Sequence, residues 1–326
     1  MRRVTCVLLA ASLSCASALG SASAQPTSGV PARNITMIVS LAPGGGVDAL
    51  ARILADQLQS RLKQTVVVEN RVGGGGMLGA DSLARAAPDG STIGMLESST
   101  VLHKWFHKSV PFDVTTDFAP IAFIARSALV LFKHPAFPVT DIKALIALAK
   151  ANPGGLQVGT PGIGTTHHLA ASLFNAAAGI TIAPLPYRGT GPALNDLLGG
   201  HVKMIWATPV AVMAFLESGK VGALATASPR RIAQLPDVPT IAEHGFPGFE
   251  LESWFGVAAP ARTPPDIVAA YESALRAIVA QPDVEARVAA QSFWLDFRDG
   301  PAFHAMIVRE HTRLGEAIRA AGIGPM

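Results

Sequence analysis

Cysteine is almost missing from this chain: of 326 residues only Cys6 and Cys15 are cysteines. Both sit in an N-terminal stretch that reads as removable, so neither a disulfide framework nor thiol chemistry is open to the remainder. Charge is scarce too. Charged residues make up 15%, with 26 basic against 23 acidic side chains, which is no electrostatic footprint for nucleic acid. Aromatic residues contribute 6%, and no apolar run beyond residue 24 reaches the roughly 20 residues that a membrane-spanning helix needs. Two catalytic signatures are missing as well. No Gly-Lys-Ser/Thr follows a glycine cluster, which removes a P-loop, and no G-x-S-x-G elbow is present for a serine hydrolase.

What is present begins with Arg2-Arg3, an apolar stretch from Val4 to Leu19, and the small residues Ala22-Ser23-Ala24. This is the pattern of a secretory signal, residues 1–24, cut before Gln25 and too short to anchor the chain. The arginine pair lacks the residues that make a twin-arginine signal. Cys15 follows Ser12-Leu13-Ser14, where the misplaced leucine makes a poor context for lipid attachment. Cleavage removes Arg2 and Arg3 and no acid, so the formal charge falls from +3 to +1 over the 302 residues that remain. A chain of that length outgrows a single core, and two lobes are expected.

The apolar pattern supports two α/β units. Ile35 to Leu41 reads as a buried strand, and Leu50, Ile53, Leu54 and Leu58 then fall on one helical face. Thr65 to Val68 is a second strand, Gly73 to Gly76 a glycine loop, Leu78 to Ala86 a helix, and Thr92 to Leu96 a third strand. The order recurs: a helix capped by Asp141, a strand at Leu156 to Gly159, then GTPGIGTTHHLAASLF, again strand, glycine turn and helix. Three C-terminal helices, Pro265–Val279, Pro282–Ala290 and Gly300–Ala320, are assigned to the first lobe. The chain therefore crosses out near Ile124 to Leu131 and back near Ser253 to Gly256. This gives lobe boundaries of 25–127 with 253–326, and 128–252.

The stretch SLAPGGGVDALARILADQL, from Ser40 to Leu58, admits more than one chemistry. Gly44-Gly45-Gly46-Val47-Asp48-Ala49 fits G-x-G-x-x-A after a strand, and Glu69 ends the next strand, as in an NAD(P)-dependent oxidoreductase. Against that reading, an exported protein meets little free NAD, and Asp48 in the first helical turn repels a pyrophosphate. A binding protein uses the same turn differently. Glycines let backbone N–H groups approach a ligand, and the unpaired N–H groups of a helix start attract a carboxylate or phosphate. Two such corners, one per lobe, hold a small anion from both sides without an arginine. His103 and His107 are spaced like helical metal ligands, but no third ligand is evident. Neither metal nor cofactor is expected.

The blocks APGGGVDALARILADQL, VVVENRVGGGGMLGAD, APDGSTI, VPFDVTTDFAPI, GTPGIGTTHHLA, PYRGTGPALNDLLGG, LPDVPTIAEHGFPGFELESWFG and APARTPPDIV, in this order, resemble the tripartite tricarboxylate transporter receptors, the Bug-type periplasmic solute-binding proteins. The resemblance covers about residues 33 to 322. It implies a two-lobed Venus-flytrap fold of type II-like form, each lobe a helix-flanked mixed sheet. It also implies a non-enzymatic periplasmic receptor, expected as a monomer, that captures a small carboxylate and delivers it to the membrane subunits of a tripartite transporter. A carboxylate sensor uncoupled from transport is the alternative within that class. The site residues it implies are Ala42, Pro43, Gly44, Gly45, Gly46 and Asp48 at the first corner, and Gly162, Ile163, Gly164, Thr165, Thr166 and His168 at the second. Tyr187, Arg188, Gly189, Ala207 and Thr208 border the cleft, with Glu97, Ser98 and Ser99 in the loop after the third strand. Three positions depart from the family pattern: Ser40 stands where proline is common, Thr165 where serine is usual, and Ala207 where an acid or glycine is frequent. An acid for a ligand ammonium is thus missing at 207.

Simpler roles compete at several positions. Asp48 can stabilise its helix start and pair with Arg52 one turn on, Thr165 or Thr166 can serve only as a helix cap, and Arg188 can be a solvated loop residue or a bidentate clamp. Trp206 reads as core, Trp254 as packing near the crossing.

Overall fold

The computed structural model describes residues 29, 30 and 33–325; the signal segment 1–24, with Cys15, lies outside them. The first part of the chain runs β1 (Ile35–Val39), α1 (Gly46–Leu62), β2 (Val66–Asn70), α2 (Met77–Ala84), β3 (Thr92–Glu97), α3 (His103–Phe106) and β4 (Phe118–Ala128). The middle part runs β5 (Val130–Lys133), α4 (Ile142–Ala151), β6 (Leu156–Thr160), α5 (Thr166–Ala178), β7 (Ile182–Pro186), α6 (Thr190–Leu198), β8 (Met204–Ala207), α7 (Met213–Glu217) and β9 (Gly222–Thr226). The last part is β10 (Glu252–Pro260), α8 (Pro265–Val279), α9 (Pro282–Ala290), β11 (Phe293–Asp299) and α10 (Gly300–Ala320).

Two mixed sheets result. The six-stranded sheet has the order β11-β4-β10-β3-β1-β2, and the five-stranded sheet β7-β6-β8-β5-β9. In the first, β1 pairs in parallel with β2 and β3, while β10 is antiparallel to β3 and β4. In the second, β6 is parallel to β7 and β8, and β5 is antiparallel to β8 and β9. Parallel neighbours need a crossover helix. The α1 stripe Leu50, Leu54, Leu58 supplies one, fully buried against the sheet together with Tyr271, Leu275 and Ile278 of α8. Tyr271 locks this layer by donating its hydroxyl to the Gly90 carbonyl at 2.6 Å. Burial pushes its phenol pKa well above the ordinary value.

The chain passes between sheets twice, at adjacent places. Only Leu129 separates β4 from β5 on the way out. On the way back, the Ala227 N–H donates to the Leu129 carbonyl at 2.8 Å and the Leu251 N–H to the Ala227 carbonyl at 2.8 Å. Three short backbone segments therefore lie side by side between the sheets, the layout of a hinge. Trp254 packs beside them, its ring edge-on to Phe303 at 5.6 Å, and Trp206 is buried in the core. Among the described residues no helix is long and apolar enough to cross a membrane.

Candidate functional site

The site forms where three helix starts converge. Leu41 and Ala42 in the turn after β1, Gly45, Gly46 and Val47 at the start of α1, His167 in the first turn of α5, and Thr190 at the start of α6 line one narrow cavity. Glu97, Thr208, Ser253 and Phe255 close it. Among the described lining residues there is no lysine or arginine. The positive end of the site is backbone, because first-turn N–H groups have no acceptor within their own helix. Gly46 has to lack a side chain here: a Cβ on it would stand 2.9 Å from Thr208 Oγ1 of the other lobe. Free space inside is about 10 Å3, on the order of one water.

Lobe contacts ring the cavity. Ser98 and Thr166 hydroxyls meet at 2.6 Å. Gly73 to Gly76 all have positive φ, and they bring Gly75 so near the second lobe that a Cβ there would lie 1.9 Å from the Ile163 carbonyl oxygen. Gly162 faces back, 3.1 Å from its own Cβ position to Gly75 Cα. Gly189 sits against Ala42 in the same way. His107 and His103 approach Gly164 from lobe 1, and Phe106 meets the His168 ring edge-on at 5.3 Å. Burial depresses these imidazoles, His103 to about 3 and His168 to about 4, with the nearby His107 adding to both shifts.

The anticipated residues separate into groups. Ala42, Gly45, Gly46 and Thr208 line the cavity, whereas Ser98, Gly162, Ile163, Gly164, Thr166 and Gly189 form the lobe contact around it. Pro43, Gly44 and Arg188 are exposed. Tyr187 is occupied elsewhere, donating its hydroxyl to Asp196 at 2.7 Å, and Ala207 is buried in β8 opposite Val130. Thr165 caps α5, accepting from the His168 N–H at 3.2 Å and donating to the Gly162 carbonyl at 2.7 Å. Ser99 hydrogen-bonds Glu97. Of the two adjacent histidines it is His167 that lines the cavity, with His168 turned to Phe106.

Asp48 is committed to shaping the turn. Its two oxygens accept from the Gly44 N–H (3.0 Å), from Arg52 Nε (3.0 Å) and an Arg52 terminal nitrogen (2.9 Å), and from Asn70 Nδ2 (3.0 Å). Burial, the largest influence, works to raise its pKa, but the bonds from Arg52, Gly44 and Asn70 together hold it below the ordinary carboxylate value. With every lone-pair direction taken, the carboxylate folds the glycine turn from behind. Asn70 ties the same turn down a second time by donating to the Leu41 carbonyl at 2.9 Å.

His167, Thr190, Ser253 and Phe255 are lining residues that sequence reasoning missed, and Glu97 is one that it placed after the third strand without a role. Glu97 ends β3 and is buried; burial pushes its pKa up to about 7, against smaller opposing hydrogen bonds from Ser40 and Ser99. The Ser40 hydroxyl donates to Glu97 Oε1 at 2.8 Å. His167 Nε2 is buried with no hydrogen-bond partner, and burial lowers that imidazole to about 3. The dinucleotide reading fails on its own acid: Glu69 is half exposed and paired with Arg71 at 2.8 Å, while the α1 start faces the second lobe. Among the described residues no cluster of histidine, cysteine and acid is arranged to hold a metal ion.

Residues 50–323 match the family model described as tripartite tricarboxylate transporter family receptor. Protein BugT of Bordetella pertussis is 41% identical over 240 residues, 73% of this chain and 74% of BugT. A Rhodopseudomonas palustris protein solved with adipate is 31% identical with a TM-score of 0.88, covering 91% of this chain and 99% of its own. MatC of the same organism, solved with bound malate, is 30% identical with a TM-score of 0.83, over 88% and 99%. These relatives are solute-binding receptors rather than enzymes, and the chain belongs to the tripartite tricarboxylate transporter receptor family of Bug-type solute-binding proteins.

Proposed function

We propose that this protein is an exported receptor that captures a small carboxylate between its lobes and presents it to the membrane subunits of a tripartite transporter. The observation that carries the reading is the convergence of the α1, α5 and α6 starts on one cavity with no lysine or arginine among its described lining residues. Backbone N–H groups and helix ends there suit a carboxylate, and malate and adipate are the molecules bound in two solved relatives. The lobes are taken as 25–127 with 253–326, and 128–252, turning about Leu129 and the Ala227 and Leu251 backbone. Ligand held by one lobe gains contacts from the other only on closure, so binding shifts the hinge toward the closed form. The exported, monomeric receptor then signals its loaded state by shape. Micromolar affinity asks for about 8 kcal/mol, within reach of several charge-assisted hydrogen bonds.

The test is calorimetry of the mature chain with malate, adipate and a panel of mono- and dicarboxylates, alongside NAD. Saturable binding of a carboxylate and none of NAD is expected. Failure of every carboxylate to bind would end the proposal.

A further inference from the structure

The cavity that suits an anion also contains an acid. Glu97 lines it from the end of β3, 5% exposed, in the same enclosed space as the helix starts. No lysine or arginine among the described lining residues stands by to neutralise a second negative charge. Two ionised carboxylates in one water-poor space repel strongly, and one of such a pair keeps its proton.

The surroundings of Glu97 leave it free to do so. Ser40 comes from just beyond β1 and donates to Oε1 at 2.8 Å, and Ser99 adds a second hydrogen bond to the same carboxyl; neither partner is a cation that would hold it ionised. Ser99 and Thr100 come from the turn that follows it, Gly76 from the start of α2, and Phe255 from the paired strand β10. Across the cavity stands His167, whose Nε2 is buried, unpartnered and neutral at ordinary pH. None of these groups is charged, and burial already brings the Glu97 pKa up to about 7. Protonation near neutral pH therefore needs little further push.

We propose that Glu97 contacts the ligand as a neutral carboxylic acid, donating its proton to the bound carboxylate, so that the receptor takes up one proton from solvent with each ligand. This rests on the carboxylate-receptor reading above and adds to it the protonation state of the complex. The neutral His167 faces the same space as a second uncharged hydrogen-bonding group. The site then discriminates by charge: a carboxylate fits with a proton, while a ligand ammonium fits only an ionised Glu97.

The experiment is titration calorimetry of the mature protein with the tightest-binding carboxylate of the malate and adipate panel. It is run from pH 7 to pH 9, where the ligand's own charge is constant, in buffers of different ionisation enthalpy. Wild type is expected to take up close to one proton per ligand at pH 8 and to weaken about tenfold per pH unit above 7. Glu97→Gln keeps a donor at the same place without a titrating group. It is expected to show no proton uptake and a flat affinity over the range, with its melting transition confirming that it is folded. Flat wild-type affinity with no proton uptake would overturn the inference and leave the carboxylate receptor standing. Proton uptake that persists in Glu97→Gln would also overturn it. So would tight binding of an amino acid that is lost in Glu97→Gln, which would make Glu97 an anionic partner for ammonium. If no carboxylate binds at any pH, the receptor reading falls and this inference with it.

Discussion

Gly75→Ala tests closure without touching the cavity. At Gly75 φ is +64°, and an added Cβ lies 1.9 Å from the Ile163 carbonyl oxygen, where ordinary contact begins at 3.4 Å. The obstacle is backbone on both sides, so the lobes must stand about 1.5 Å further apart at this point. That distance breaks the 2.6 Å Ser98–Thr166 bond and loosens the Phe106–His168 contact. The first is worth about 1 kcal/mol and the second about 0.5–1.5 kcal/mol. Together they favour closure by about 2 kcal/mol, so carboxylate affinity is expected to fall about 30-fold. Alanine at positive φ also costs about 1 kcal/mol in stability, and Gly179→Ala controls for it. Gly179 has φ of +60° and no atom within 4 Å of an added Cβ, so that variant should lose stability and keep its affinity. Calorimetry on wild type and both variants decides the matter. Wild-type affinity in a folded Gly75→Ala protein would mean that Gly75 and Ile163 do not meet when the receptor closes.

Three further outcomes follow from the same geometry. Lowering the pH should open the receptor, because His103 and His168 are buried neutral in the lobe contact. Their depressed pKa values make the closed form the poorer proton binder, so closure is intact above about pH 6.5 and is lost progressively below it. Carboxylate affinity at pH 5 should be at least tenfold weaker than at pH 7, with the loss reduced in His168→Asn. Asp48→Ala removes a buried acceptor from Gly44, Arg52 and Asn70, and should cost about 2–3 kcal/mol in denaturant unfolding together with ligand binding. Because the Asp48 pKa is depressed, its stabilisation is present above the ordinary carboxylate pKa and fades as pH falls below about 4. Arg188→Ala, at an exposed loop position, should change affinity less than twofold by calorimetry; a large loss would restore the arginine clamp.

The parts legible in the sequence are those fixed locally. The Leu50, Leu54, Leu58 stripe specifies α1, Thr165 is the one of the two offered threonines that caps α5, and the strand-glycine-helix order read from the sequence stands in both sheets. β11 escaped because it is an edge strand carrying Asp296 and Arg298, with its alternation broken by a register shift between Leu295 and Arg298. α1 and α5 point at the same cavity, but the third helix start at Thr190 emerges only when the sheets are assembled. Choosing between His167 and His168 needs the rotation of α5, which packing on Phe106 sets. Glu97 is a similar case. Its chemistry comes from burial, which no neighbouring residue in the sequence announces. The glycine run at 73–76 was visible as a loop, yet its role depends on Ile163 from the other lobe.

Small-angle scattering of the mature protein, titrated with the carboxylate that binds most tightly, tests most directly whether the two lobes close on a ligand. A decrease in radius of gyration that saturates with the calorimetric isotherm is expected. Saturable binding with an unchanged scattering profile would contradict it.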